Sequence, residues 1–397
     1  MPAPLKIAVP QSRYLRCVDT DITPAEKNVV DAAATWAADF VGPRSEGWER
    51  DRRCARDAFD SAAAHGFTGL YVSQDHGGTG LGAVAYARVF EEIAAADMGV
   101  GFMLTVHNNY AVSLANHLTG PTRNARLEAA LTGSVLGGFG LTEPDVGSDA
   151  AKITTTATKM RSGWKLDGAK AWVSNGAELD VLAVYATVDA AAGHRGIGAF
   201  LVDVATPGVV VDDPYHLLGA HSLGTTSIRL EGCEVADDAM FIPPGRGFSA
   251  AMAGIDVARI IVGAMSCGMM RTALGTATQW VRGRQAFGAR LADLQNTRFV
   301  LADVATDLEA TRLLTYRAAR LLDDGEPATI AAAHAKKFAT RTAERRIADC
   351  MQVMGAEATR QSGALPRHLA ASRLTNYLDG ATEIQNVVIA RALLDGE

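Results

Sequence analysis

Residues 140–149 read Gly140-Leu-Thr-Glu-Pro-Asp-Val-Gly-Ser-Asp149, directly after an apolar, glycine-rich run, Val135-Leu-Gly-Gly-Phe-Gly140. The run predicts a short strand bounded by glycines, and the decapeptide predicts the loop that leaves it. Pro144 has no N–H and stiffens the turn. Thr142 and Ser148 place hydroxyls on either side of it. A rigid backbone, exposed amides and small donors suit a flat polar heterocycle. A glycine-containing turn alone would not say so, because most are plain loops.

The surrounding composition narrows the classes. A chain of 397 residues suits two or three domains, and 48% hydrophobic residues supply ample core. A net charge of −6 offers no basic field to nucleic acid. The longest apolar run, Ile260 to Met270, is too short to span a bilayer, so no membrane insertion is expected. Prolines at positions 2, 4 and 10 break the first residues into an irregular extension without a signal or transit pattern. Five scattered cysteines without a C-x-x-C pair predict reduced thiols and a cytoplasmic protein. The nine histidines show no metal-ligand spacing, so no metal is expected.

Along the chain, helical periodicity covers 23–40, with Thr23-Pro24 as cap and first turn, then 56–65, 83–96, 101–118 and 123–130. Short β-rich runs follow at 153–158, 164–166, 171–174, 181–186, 197–202 and 227–230, separated by Gly, Asn and Asp. They predict a small barrel or sandwich. Long helices return at 250–282, 291–322, 328–354, 368–377 and 381–394. The expected domains are an extension over 1–22, a helical domain over 23–132, a β-barrel domain over 133–244 and a helical domain over 245–397.

Four further motifs stand out: Lys170-Ala-Trp-Val-Ser-Asn-Gly176, Arg282-Gly-Arg-Gln-Ala-Phe-Gly288 with Gln295, Gln352-Val-Met-Gly355, and Tyr377-Leu-Asp-Gly-Ala-Thr-Glu-Ile-Gln385. Read alone, Trp172 is a buried strand tryptophan and Arg284 an arginine near a helix C-terminus. Together with residues 140–149 they resemble the signatures of the acyl-CoA dehydrogenase flavoproteins, over nearly the whole chain from residue 23. The resemblance implies an α+β fold in three parts: an N-terminal helical domain, a middle β-barrel and a C-terminal domain like a four-helix bundle. It implies FAD as cofactor. Leu141, Thr142, Ser148, Trp172 and Ser174 would then meet the flavin, with Trp172 packed on the ring and Ser174 near N5. Arg284, Phe287 and Gln295 would reach the FAD of a neighbouring subunit, and Gln352 and Gly355 its adenine end, with Glu383 also at the cofactor. A homo-oligomer follows, expected as a dimer of dimers.

The same resemblance implies α,β-dehydrogenation of an acyl thioester on CoA or an acyl-carrier protein, with an electron-transferring flavoprotein as acceptor. In the last motif the family's base is a glutamate; here it is Asp379, shorter by one methylene, about 1.5 Å of reach. Some relatives place the base on an earlier helix, where this chain has Ala258, so Asp379 is the carboxylate the pattern leaves. It would take the α-proton while flavin N5 takes the β-hydride, and burial would strengthen it as a base. Asp256 would lie near the pantetheine arm with Ser148, and Arg259 would support the wall of the site. His221 stands where relatives carry an arginine, and a lone loop histidine is more often solvated or structural than ligand-facing; the polar His107-Asn-Asn-Tyr110 reads equally as the border of a small or polar acyl pocket and as an exposed turn. Nitroalkane oxidases resemble the family too and use an aspartate at this position, paired with an arginine seven residues on, where this chain has Asn386. Other oxygen-using flavoenzymes share the fold, and a catalytically dead flavin-binding protein would share the shortened base.

Overall fold

The computed structural model describes residues 22–395. Most of the expected extension, and Cys17 with it, lies outside the described residues.

The N-terminal helices are α1 (Pro24–Trp36), α2 (Gly42–Arg50), α3 (Arg56–Ala64), α4 (Ala83–Ala96), α5 (Met98–His117) and α6 (Gly120–Leu131). Thr23 and Glu26 close a reciprocal capping box at the start of α1, as the Thr-Pro pair predicts. A π-helical turn over Ala37–Val41 then carries the chain into α2. Periodicity does not reveal α2, because its sequence is mostly polar and buries only Ser45 and Trp48.

The β domain holds β1 (Gly137–Gly140), β2 (Thr156–Lys159), β3 (Trp164–Val173), β4 (Val181–Thr187), β5 (Ile197–Asp203), β6 (Val209–Val211), β7 (Thr226–Val235) and β8 (Met240–Ile242). Their order is β6-β7-β3-β2-β4-β5-β8, with β1 parallel on β4. Two antiparallel sets meet at a single parallel pair, Thr156 with Thr187. The runs expected at 164–166 and 171–174 are one strand, interrupted by register shifts against β7. A side chain at Gly137 would fall 2.1 Å from the Tyr110 ring, so glycine lets β1 lie close on α5.

The C-terminal domain is α7 (Gly247–Gly283), a hairpin of β9 (Gln285–Ala286) and β10 (Ala289–Arg290), then α8 (Gln295–Asp323), α9 (Thr329–Met354), α10 (Ala364–Thr375) and α11 (Thr382–Leu394). Helix α7 is long and apolar enough to cross a membrane, yet it packs on α4, α8 and α9 inside the core. Ion pairs weld the two helical domains. Arg271 of α7 holds Glu92 of α4 with two 2.7 Å bonds, and Arg312 of α8 holds the buried Glu91 of α4 at 2.6 Å.

Candidate active site

The loop at 140–149 and strand β3 are joined by their polar groups. The Ala171 N–H donates to the Thr142 carbonyl at 2.9 Å. Lys170, fully buried, reaches back to the Leu141 carbonyl at 3.2 Å and to Glu143 Oε1 at 2.8 Å. Glu143 accepts in addition from Thr154 N–H and Oγ1, both at 2.7 Å, and from Thr155 N–H at 2.9 Å. Burial alone would raise the Glu143 carboxyl, but the Lys170 ammonium and these donors outweigh it and hold it down to about 2. Pro144 and Asp145 form the tip of a tight turn closed by Glu143 and Val146, which bond to each other in both directions. Sequence reasoning quotes Glu143 and Lys170 within their motifs but gives neither a role. Neither stretch is apolar enough to single out a buried pair, so local sequence carries no clear signal for it.

Trp172 corrects an expectation. It is 58% exposed, not buried. Its backbone takes a φ of +58°, within the register shift between Lys170 and Val173, and this irregularity turns the indole out of the sheet. It rests on Tyr215, ring centroids 4.7 Å apart. Ser174 is buried, and Thr142 half-buried, with no hydroxyl hydrogen bond to any described residue. Leu141 is buried behind the loop, and Ser148 is exposed on it. An aromatic face, two free hydroxyls and a welded loop make a surface that fits a flavin ring.

The base candidate sits in a second constellation. Asp379 lies between α10 and α11 with a φ of +50°, followed by Gly380 at +92°. Such angles at a non-glycine residue persist only where neighbours over-determine them. Arg259 of α7 donates through Nε to the Asp379 carbonyl at 3.2 Å. Lys336 of α9 donates to the Gly380 carbonyl at 2.7 Å, and Gln385 of α11 donates to the same oxygen at 2.9 Å. Asp256 binds Arg259 at 2.8 Å with one oxygen and Thr329 at 2.6 Å with the other. Ala258, at the alternative base position, is a buried methyl. The Asp379 side chain itself is not engaged: Oδ2 is buried without a hydrogen-bond partner. Burial raises the carboxyl to about 6, against the opposing charges of Lys336 and Arg259. A desolvated carboxylate with one free oxygen can accept a proton from carbon.

Among the described residues no side-chain hydrogen bond joins the remaining cofactor candidates to this region, although Glu383 stands at the start of α11, just after the Asp379 loop. Arg284, Phe287, Gln295, Gln352, Gly355 and Glu383 are all exposed, and their side chains make no hydrogen bond to described residues. Phe287 is 100% exposed at the tip of the β9–β10 hairpin, where it and Gly288 take φ of +52° and +76°.

Three further polar residues take structural roles. The His107 ring accepts from the Gly137 N–H and bonds the Ala130 carbonyl, both at 3.0 Å, and burial pushes its pKa down to about 4. Asn108 bonds backbone groups of Phe67, Leu70 and Leu104. His107 and Asn108 therefore brace the backbone. The His221 side chain, 8% exposed, sits against Glu49 at 3.0 Å, the structural role that a lone loop histidine ordinarily has.

Comparison with known proteins agrees in all three parts. Models of the acyl-CoA dehydrogenase N-terminal, middle and C-terminal domains match residues 23–134, 138–233 and 245–394. Human mitochondrial short-chain specific acyl-CoA dehydrogenase is 36% identical over 330 residues, covering 83% of this chain and 80% of that protein. The structure of butyryl-CoA dehydrogenase from Megasphaera elsdenii superposes with a TM-score of 0.91 at 30% identity, covering 95% of this chain and 100% of the other. A structure from a study of the electron transferring flavoprotein of Acidaminococcus fermentans gives 0.91 at 31% identity, with 95% and 100% covered.

Proposed function

The chain belongs to the acyl-CoA dehydrogenase family, and from that premise we propose that Asp379 is its catalytic base and short-chain acyl-CoA its substrate class. It is an FAD-dependent oxidoreductase acting on CH–CH donors. The observation that carries the assignment of the base is the buried, unpartnered Oδ2 of Asp379 on a loop clamped from three helices. The names of the human and Megasphaera relatives support the short acyl chain.

Bound FAD supplies the two-electron acceptor for the β-hydride. The residues that would hold it are Leu141, Thr142 and Ser148 of the loop and Trp172 and Ser174 of β3 and its end. Arg284, Phe287, Gln295, Gln352, Gly355 and Glu383 would hold the FAD of a neighbouring subunit, so the active protein is a homo-oligomer, a dimer of dimers. A fully exposed phenylalanine at a strained hairpin tip supports this, as does α11, where only Gln385 is buried. Asp379 takes the α-proton, and its clamped loop compensates for the short side chain. Arg259, fixed by Asp256, holds the loop at the wall of the site. Ser148 and Asp256 border the pantetheine arm. An electron-transferring flavoprotein then accepts the electrons, supported by the Acidaminococcus structure. The reading includes a cytoplasmic location, in keeping with the buried cysteines Cys54, Cys233 and Cys350, which form no disulfide among the described residues.

The test is anaerobic titration of the FAD holoenzyme with acyl-CoAs of increasing chain length. Loss of flavin absorbance with butyryl-CoA at stoichiometric amounts is expected. A flavin that stays oxidised with every thioester and bleaches with a nitroalkane would reverse the assignment.

A further inference from the structure

Helix α9 is alanine-rich, and Lys336 lies on its buried side with Ala332, Ala335, Ala339 and Ala343. A lysine is almost never fully buried unless it is paired. Lys336 makes no direct ion pair among the described residues. Its Nζ donates to two backbone carbonyls, of Gly380 at 2.7 Å and Asn376 at 3.4 Å, one on each side of Asp379.

We propose that Lys336 is a positioning residue for the reaction, its buried ammonium fixing the 376–380 loop and supplying the unneutralised positive charge that keeps the Asp379 carboxylate ionised in the dry site. This rests on the reading of Asp379 as the base.

The charges around the loop single out Lys336. From α7, Arg259 faces the loop, but its charge is met directly by Asp256 at 2.8 Å. On the Asn376 side, Glu344 of α9 and Arg373 of α10 pair with each other at 3.2 Å. From α11, Glu383 acts on Lys336 only at a distance and is exposed. Among the described residues, Lys336 is therefore the cation near Asp379 without a direct counter-ion. Burial lowers its pKa to about 8, and the Asp379 charge pulls the other way. A charge held near but off the carboxylate favours ionisation without occupying Oδ2, which stays free for the α-proton. The backbone bonds do a second job: they hold left-handed angles at Asp379 and Gly380 and so fix where a short side chain points.

The experiment compares holoenzymes carrying Lys336→Gln, which keeps a donor and drops the charge, Lys336→Met, which drops both, and Lys336→Arg, which keeps the charge. The readout is kcat/KM for butyryl-CoA from pH 5 to 9. The apparent pKa of the base should rise by about one unit in the Gln and Met variants and return in the Arg variant. FAD absorbance should stay normal. A loss of equal size at every pH, in variants that retain FAD, would mean Lys336 is merely structural and would overturn the proposal.

A second measurement leaves Lys336 in place. Melting temperature is followed against pH in the wild type and in Asp379→Asn. A lysine whose folded pKa is depressed adds stability as pH rises from its folded pKa toward its unfolded one. Removing the Asp379 charge depresses Lys336 further, so that rise should begin at a lower pH in Asp379→Asn. Parallel profiles would show that the two groups do not interact, and the proposal would fall. An Asp379→Asn enzyme with wild-type activity would remove the base assignment itself, whatever the Lys336 variants do.

Discussion

Two buried lysines serve carboxylates in this molecule, and they are arranged differently. In the β domain, Lys170 touches Glu143 at 2.8 Å, and Glu143 fills its remaining acceptor sites with Thr154 and Thr155. In the C-terminal domain, Lys336 bonds carbonyls on either side of Asp379 and leaves Oδ2 with no partner. The first carboxyl is held down to about 2, and the second rises to about 6. A satisfied carboxylate is a poor base but a good rivet. A carboxylate kept short of its last hydrogen bond costs stability and gains reactivity. On the proposed reading, the loop at 140–149 presents Thr142 and strand β3 presents Trp172 to the flavin, and the Lys170–Glu143 rivet fixes the two backbones to each other. The loop at 376–380 needs a reactive group on a fixed backbone, so its bonds go to carbonyls.

The largest effect that would break this contrast is at the reactive carboxylate. Asp379→Asn keeps size and shape but cannot take the α-proton. Its rate of flavin reduction by butyryl-CoA should fall on the order of 100- to 10,000-fold in stopped flow, with FAD content unchanged. A fall of only a few-fold would make Asp379 a second rivet.

Next comes the rivet itself. Lys170→Met leaves Glu143 buried with no counter-charge, and breaking such a pair costs about 3–5 kcal/mol. Denaturant unfolding should show that loss together with poor FAD retention. Unchanged unfolding would mean the pair contributes nothing to the loop.

Acid separates the two carboxyls more gently. A carboxyl with a depressed folded pKa adds stability above its unfolded value and loses it as pH falls through the folded one. Stability owed to Glu143 is therefore complete above about 4.5 and fades toward about 2. Glu143→Gln should flatten the acid limb of the stability profile. Activity behaves differently, because Asp379 is a base only when ionised. The kcat/KM of the wild type should fall as pH drops through about 6, while the protein remains folded. Loss of rate and loss of structure at the same pH would erase the distinction.

Much of this architecture is legible in the sequence. Helices α7, α8 and α9 are long runs without helix breakers, α4 and α8 are clearly amphipathic, and the stretches at 140–149, 170–176 and 377–385 have distinctive composition. What escapes has physical causes. Strands β6 and β8 are three residues each, too short for alternation to register. The resemblance marks Trp172 for the flavin, but strand alternation alone would bury it, because alternation does not reveal a register shift that turns one side chain outward. His107 and Asn108 read as pocket polarity because hydrogen bonds to distant backbone leave no trace in local sequence. Lys336 is visible only as a charge in the buried register of an alanine helix, and its partners lie 40 and 44 residues away.

The smallest effect concerns the face that neither buried pair touches. Phe287 contacts solvent all round, so Phe287→Ser should change subunit unfolding by no more than about 0.5 kcal/mol. Light scattering should nevertheless show a shift toward smaller assemblies. An unchanged assembly would mean the hairpin tip serves no subunit contact.

The central claim is that Asp379 removes a proton from carbon. The direct measurement is exchange of α-hydrogen for deuterium, followed by NMR, in an acyl-CoA whose β-position cannot give up a hydride. Incubated with wild-type holoenzyme in deuterium oxide, the α-hydrogens should exchange, and with Asp379→Asn the exchange should slow by the same factor as flavin reduction. Equal exchange in the two proteins would contradict the account and place the base elsewhere.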